Sequence, residues 1–240
     1  MALMDAIRYA STITQSVHVG VSLGKDSVCL LDLCFKNFRN VYPFFMYFVR
    51  GMQFQETYLA YLEKRYGIPI RRLPHWMLGT CYCGGLYRDQ NFLTDTCPNI
   101  GIKDIEDYLF DETGCDWFAY GQMICESIER NAMIKSVGEV DEVNHRIYAL
   151  AEWSPAKVRR YLANHHIQLA PEYRYAKRSC GDLRPENLAV IKAHFPDDYE
   201  TIKRIYPYIE ATEMKNEFEK KRKAAKRAAE EAGVSTGTAE

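Results

Sequence analysis

The chain has no excess of charge of either sign. Its 240 residues hold 31 Lys and Arg against 32 Asp and Glu, a formal net charge of −1. That excludes a uniformly basic nucleic-acid binder and leaves only a local patch open. Long hydrophobic runs are missing too: the longest, Val41 to Val49, is nine residues and contains Pro43, too short to span a bilayer. There is no internal repeat. Asp5 and Arg8 interrupt the apolar stretch of residues 1–10, which does not fit a secretory signal. The eight cysteines therefore read as reduced thiols of a cytoplasmic protein rather than as a disulfide framework.

What is present is enough apolar material for a core: 47% of residues are hydrophobic and 26% charged, which excludes wholesale disorder. Helical and β-branched segments alternate. Residues 2–14 suit a helix and Val17 to Val21 a strand. Asp26 to Asn37 suits a helix, Phe44 to Val49 a strand, and Gln55 to Tyr66 a helix stopped by Gly67. Ile68 to Leu73 suits a strand that Pro69 confines to an edge or a strand start. Residues 74–100, with three cysteines, break the rhythm. It resumes with a helix at Lys103 to Thr113, a strand at Asp116 to Tyr120, a helix at Met123 to Lys135 and a strand at Arg146 to Leu150. Ser154-Pro155 opens a further helix. This predicts an α/β fold: a Rossmann-like parallel sheet of about five strands with helices on both faces, plus a helical C-terminal extension. The expected division is a nucleotide-binding domain at 1–212 and a charged helical tail at 213–240, disordered from Ala232 to Glu240.

The chemistry begins where the first strand runs into Ser22-Leu23-Gly24-Lys25-Asp26-Ser27 and a helix follows at once. Free N–H groups and the positive end of the helix dipole suit an anion there. Gly24 allows close approach, Ser22 and Ser27 offer hydroxyls, and Lys25 a positive charge. Asp26 would repel a phosphate unless Mg²⁺ bridged the two, which makes Asp26 the candidate metal ligand. Alternatively, Asp26 and Ser27 simply cap the helix. The loop is one residue short of a Walker A loop and lacks the hydroxyl after Lys.

The loop resembles the Ser-Gly-Gly-x-Asp-Ser loop of the PP-loop ATP pyrophosphatases, the adenine nucleotide alpha hydrolase-like superfamily, with Leu23 in place of the first glycine. Gly121, Glu126-Ser127 and Arg130 resemble the Gly-x-Arg-x-x-Glu-Ser-x-x-Arg pattern of the phosphoadenosine-phosphosulfate (PAPS) reductase family within it, with Met123 at the first arginine. Glu56-Thr57, Leu150 to Trp153, Leu169 to Tyr173 and Arg178 to Gly181 follow in the family's order. The resemblance covers about residues 16–210. It implies a cleft in which Ser22, Leu23, Gly24, Lys25, Asp26, Ser27, Gly121, Glu126, Ser127 and Arg178 bind an adenine nucleotide, either ATP or an adenylylated sulfate (PAPS or APS). Lys25, Asp26 and Arg130 would then serve catalysis. Arg130 could instead be a helix-face charge paired with Glu126 at i,i+4.

The reductases of this family carry a Glu-Cys-Gly-x-His segment near the C-terminus, and here no cysteine follows Cys180. Cys180 is thus the single late candidate for a catalytic thiol, with a bystander role as the alternative. Cys81, Cys83 and Cys97 could hold zinc, but Cys-x-Cys is not the usual knuckle, so ordinary thiols are expected. The tail from Lys215 to Glu231 has seven basic and four acidic residues. It reads as a solvated helix that could touch a protein or a nucleic acid.

The resemblance implies a PP-loop enzyme of adenylation or sulfur transfer, acting on an unidentified acceptor with pyrophosphate release. The alternatives are a thiol-dependent reductase of adenylylated sulfate and a non-catalytic nucleotide-binding adaptor. Membrane attachment is not expected; a homo-oligomer is compatible with the sequence.

Overall fold

The computed structural model describes residues 5–83, 87, 89 and 96–231. The elements are α1 (Asp5–Ile13), β1 (Ser16–Gly20), α2 (Lys25–Asn37), β2 (Asn40–Tyr47), α3 (Gln53–Tyr66), β3 (Arg71–Pro74) and α4 (Leu78–Cys83). They continue with α5 (Ile102–Thr113), β4 (Phe118–Ala119), α6 (Ile128–Val137), β5 (Val140–Asp141), β6 (Arg146–Ile147) and α7 (Pro155–Asn164). A 3-10 turn (Pro171–Arg174) leads to α8 (Pro185–His194), α9 (Pro196–Ile205) and α10 (Glu210–Glu231).

Six strands form one sheet in the order β3-β2-β1-β4-β6-β5. Neighbours are parallel except β5 and β6, which pair antiparallel. The five-strand parallel sheet expected from the sequence is therefore present, extended by an antiparallel edge. Side chains alternate across it. Val17, Val19, Val41 and Phe45 join the cluster that packs Leu30 and Leu31 of α2 and Val158 and Leu162 of α7. Phe44 and Phe118 face the other way, onto Ile105 and Leu109 of α5. Both faces are thus buried, as a parallel sheet requires. Connections from β1 run outward to β2 and β3, and β4 and β6 lie on β1's other side. The strand order reverses between β1 and β4, opening a crevice at their carboxyl ends.

Three of the boundaries that differ from expectation have a local cause. β2 starts at Asn40 and carries Pro43 inside it, opposite Val19. The bonds from Asn40 N–H to Gln15 and from Val21 N–H to Phe44 aim the even-numbered β2 positions at β1. Pro43 therefore faces the β3 side, ahead of the first β2–β3 pair at Phe44 and Arg71, where no donor is wanted. β3 begins only at Arg71, and it is an edge strand as Pro69 requires. The helix expected from Met123 begins at Ile128, because the Ser127 hydroxyl accepts the Arg130 N–H and fixes the start there. Other punctuation is as expected: Gly67 ends α3 in the left-handed conformation (φ 69°), and Ser154 caps α7 with Pro155 at its first position.

The C-terminal helices form a second core. Leu188, Ile191, Tyr199, Ile202 and Tyr206 pack with Cys180 and with Val49, Met52 and Phe54 from the segment after β2. Buried Asp198 of α9 accepts the N–H groups of Gln53 (2.5 Å) and Phe54 (3.1 Å), so a side chain from the far end of the chain caps α3. α10 runs unbroken from Glu210 to Glu231. Among the described residues no helix is long and apolar enough to cross a membrane.

His18 is the one histidine inside the sheet. It is fully buried, stacks on Phe118 with ring centroids 4.9 Å apart, and meets Thr113 Oγ1 at 2.8 Å through Nε2. Burial lowers its pKa, so the folded chain holds it neutral. The unfolded chain takes up that proton below about pH 6.5 and the folded chain does so only at lower pH, so stability falls as pH drops through this range. We expect His18→Phe to lose less stability than the parent between pH 7.5 and 5.5 in urea unfolding. Equal losses would place the acid sensitivity elsewhere.

Candidate functional site

The crevice at the β1/β4 reversal is a cleft of about 280 Å³. Ser22, Gly24, Asp26 and Ser27 come to it from the first loop, and Gly121, Glu126 and Arg130 from the loop after β4. These seven residues, proposed from two separate stretches of sequence, line one space. Phe44, Met46 and Tyr120 provide an apolar wall, and Gln122 and His75 complete the lining.

The first loop is built around Ser27. Its buried hydroxyl donates to Gly24 O (3.0 Å) and accepts from Ser22 N–H (3.1 Å) and the Ser22 hydroxyl (3.2 Å). Ser27 therefore staples the loop as well as lining the cleft. Leu23 lies underneath: its backbone is left-handed (φ 61°) and its side chain is buried in the main core. An L-residue with a branched side chain pays about 1–2 kcal/mol for that conformation, which the burial of an isobutyl group offsets. The loop is thus held by its core contact where glycine would hold it by freedom alone.

The second loop closes on the first without intervening side chains. A Cβ on Gly121 would sit 3.1 Å from Ser27 N and 3.2 Å from both the Asp26 carbonyl carbon and Ser27 Cα. Only hydrogen fits there comfortably. Beyond it, the Glu126 carboxylate accepts the Met123 N–H at 3.3 Å and pairs with the Arg130 guanidinium. Arg130 stands in the first turn of α6, one turn from Glu126, and not two or three helical turns past Gly121 as the longer expected helix would place it. Met123 is buried and presents no charge.

Leu23 and Lys25 sit on the loop without lining the cleft. Lys25 Nζ lies 2.5 Å from Asp26 Oδ2, and Arg130, in the lining, is paired with Glu126, so both cations have a carboxylate beside them. His75 is stacked on Phe48 (4.3 Å), and burial lowers its pKa, leaving it neutral near pH 7. The cleft therefore differs from the cationic one expected from Lys25 and Arg130 alone. Its oxygens, from Asp26, Glu126 and the Ser22 and Ser27 hydroxyls, are hard donors of the kind Mg²⁺ takes together with ligand phosphates.

A third segment seals the loop from outside. The Tyr173 hydroxyl accepts the N–H of Lys25, the first residue of α2, at 3.0 Å. The Ser179 hydroxyl reaches Ser22 O at 3.4 Å and Glu172 Oε1 at 3.3 Å. Glu172 is itself buried, and that burial raises its pKa. Ser127 lies at the helix cap rather than in the cleft lining. Arg178 stays outside, half exposed and 3.4 Å from Glu186. Cys180 is fully buried, and burial, then the neighbouring Glu172, pushes its thiol up to about 11. A thiolate nucleophile needs the opposite setting, exposed and with a lowered pKa, so Cys180 is a core residue here.

Four contributors were not foreseen. Gln122 lines the cleft with a buried Oε1 that has no hydrogen-bond partner. The Tyr173 hydroxyl occupies a helix-terminal donor, and Phe44 with Tyr120 forms the wall. Tyr173 lay within a segment singled out by resemblance; nothing in the residue pattern marked the other three. Glu56, of the Glu-Thr pair, is tied to Arg72 at 2.9 Å instead. The cysteine set proposed for zinc lies partly outside the described residues, since the Cys83 side chain is not among them. Among those described, no three His, Cys, Asp or Glu side chains are grouped to hold a metal.

The reversed strand order and the glycine-bearing strand–loop–helix join are those of an open α/β sheet with a ligand crevice at its reversal point. The family model for the phosphoadenosine phosphosulfate reductase domain matches residues 16–75, from the start of β1 to just past β3. The resemblance read from the sequence is borne out, with the family-model match confined to residues 16–75, a quarter of the chain's length. The chain is similar in fold to a PAPS reductase from Candida auris, at 14% identity and a TM-score of 0.50, over 72% of this chain and 84% of that one. The U34-tRNA thiolase NcsA from Methanococcus maripaludis, a structure with a [4Fe-4S] cluster, aligns at 14% identity and a TM-score of 0.43, over 87% of this chain and 79% of that one. No curated protein matches the chain.

Two substitutions check the loop architecture. Leu23→Gly gives up a buried side chain worth about 2–5 kcal/mol and regains about 1–2 kcal/mol of backbone strain. Thermal unfolding should therefore show a net loss of about 2 kcal/mol. Gly121→Ala should cost about 1–3 kcal/mol by overpacking and should weaken ligand binding in the cleft. An unchanged melting temperature with unchanged binding would mean that the two loops do not depend on this contact.

Proposed function

We propose that the chain is a PP-loop enzyme that binds ATP in this cleft and uses it for adenylation or sulfur transfer with release of pyrophosphate. The observation that carries this reading is the convergence of Ser22, Gly24, Asp26 and Ser27 with Gly121, Glu126 and Arg130 on one cleft at the sheet's reversal point. The α2 N-terminus and Lys25 would hold the phosphates, and the Phe44–Met46–Tyr120 wall would receive the base. The unpartnered Gln122 Oε1 would accept a hydrogen bond from a base amine or a sugar hydroxyl. Asp26 would hold Mg²⁺, which supplies charge neutralisation when bound. An acceptor nucleophile attacks the α-phosphorus, the bond to the bridging oxygen breaks, and pyrophosphate leaves with the electron pair. Lys25 and Arg130, released from Asp26 and Glu126, would stabilise the charge that develops.

The buried, proton-holding Cys180 weighs against the thiol-dependent reductase. That alternative requires Cys180→Ser to abolish sulfite release from an adenylylated sulfate; we expect the substitution to leave turnover unchanged. The pairing of Lys25 and Arg130 with carboxylates favours a second reading, a nucleotide-binding adaptor without turnover.

A binding screen of ATP against PAPS and APS, with pyrophosphate and sulfite both measured, separates the three. We expect ATP binding that depends on Mg²⁺, with pyrophosphate appearing once an acceptor is supplied. Lys25→Ala and Asp26→Ala should each lower turnover at least a hundredfold with the thermal melt preserved. Full activity in both would refute the loop assignment.

A further inference from the structure

The cleft's cations are paired, and the unpaired positive charge of this region lies elsewhere. Residues 153–181 contain six Lys and Arg (Lys157, Arg159, Arg160, Arg174, Lys177 and Arg178) against a single acid, Glu172. Glu172 is buried and has a raised pKa. The whole chain carries −1, so this stretch is a cationic region on an otherwise acidic protein. Arg159, Arg160, Arg174 and Lys177 are exposed, and among the described residues none of the four is joined to a carboxylate.

Beside part of this stretch lies a groove of about 640 Å³, between α3 and the 3-10 turn. Tyr58, Tyr61 and Tyr173 line it with Gln168, Leu169 and Arg174. The hydroxyls of the first two are already engaged: Tyr58 donates to Gln168 O (2.5 Å) and Tyr61 accepts from Gln168 N–H (3.1 Å). Tyr58 is itself buried, so the ring surface open to a ligand is that of half-buried Tyr61 and Tyr173. Next to Arg174, Tyr175 is half exposed and stacked on His194, with centroids 3.6 Å apart and planes within 7°. Tyr173 belongs to both sites, since its ring lines the groove and its hydroxyl holds the first N–H of the phosphate-loop helix.

We propose that this groove docks a single-stranded nucleic acid, which serves as the acceptor for the chemistry of the neighbouring cleft. The proposal rests on the reading of the cleft given above only in calling the nucleic acid an acceptor. An acidic peptide would satisfy the arginines but not the ring faces. A strand of bases brings a flat π-face and a phosphate at each step, the pairing that aromatic and basic surfaces recognise. Docking there places the strand against Tyr173 and hence against the phosphate loop.

The test is fluorescence anisotropy with the full chain and labelled twelve-nucleotide RNA and DNA single strands, with a poly-glutamate peptide as competitor. We expect binding that weakens at least tenfold between about 50 and 200 mM salt. Arg174→Glu combined with Lys177→Glu should weaken it at least tenfold while nucleotide binding in the cleft is retained. Tyr61→Leu should weaken it about three- to tenfold with the salt dependence unchanged, because it removes stacking and not charge. Circular dichroism of both variants confirms that they fold. Absence of binding by either strand, full affinity in the charge-reversed variant, or equal competition by poly-glutamate would each overturn the assignment. Oligonucleotide binding without pyrophosphate release from ATP would leave the groove standing and refute the enzymatic reading of the cleft. Pyrophosphate release by a chain indifferent to oligonucleotides would do the reverse.

Discussion

The structure depends on one backbone contact. At the point where the sheet changes direction, Gly121 lies against the peptide units of Asp26 and Ser27, so closely that a methyl group would sit 3.1–3.2 Å from their backbone. This contact joins the half of the sheet that runs outward from β1 with the half that begins at β4. It also places the Glu126–Arg130 pair across from the start of α2, so that two loops separated by about a hundred residues share one wall. Close packing makes the position unforgiving, because backbone has no rotamers with which to yield. The remaining site geometry, from the Ser27 staple to the Tyr173 cap, is arranged around that fixed approach.

The electrostatics follow a second constraint. A cleft that brought Lys25, Arg130 and the α2 dipole together without counter-charge would repel itself when empty. In this chain Asp26 and Glu126 supply the balance, and the anion that replaces them must do so by exchanging partners. Such an exchange favours a ligand that brings both phosphate oxygens and a divalent cation, since each released carboxylate then has a positive charge to meet. On the proposed reading, selectivity comes from the exchange itself rather than from a surplus of positive charge. Leu23 contributes to the same economy of means, because a buried side chain holds the loop in a conformation that would otherwise be mobile.

Much of the fold was legible because its signals are local. The β-branched run before Ser22, the left-handed stop at Gly67 and the Ser154-Pro155 start each follow from one or two residues and their immediate neighbours. The site was legible where it is made of sequence-contiguous loops. The misjudged parts depend on the tertiary structure. Met123 and Ile124 suit a helix, but the Ser127 cap and the Gly121 approach hold those residues in a loop. β4, β5 and β6 are two residues each, too short to imprint a period of two. For Cys180 the sequence left an exposed thiol and a buried bystander open, and the packing of α8 and α9 decides for the second. The Tyr173 hydroxyl acts through a contact across the chain, which no pattern of neighbouring residues encodes.

The cap on α3 bears on the order in which this molecule can assemble. The carboxylate that satisfies the Gln53 and Phe54 amides comes from Asp198, nearly 150 positions later, and Met52 and Phe54 are covered by helices of that same late region. During synthesis the first three strands can emerge and collapse, yet their third helix keeps open donors and an uncovered apolar end until the last third of the chain has left the ribosome. A contact of such sequence separation slows the final step, because the intervening loop must close before the contact can form. The stretch matched by the family model is in this sense not a folding unit. It carries the ligand loop but depends for its completion on residues translated long after it.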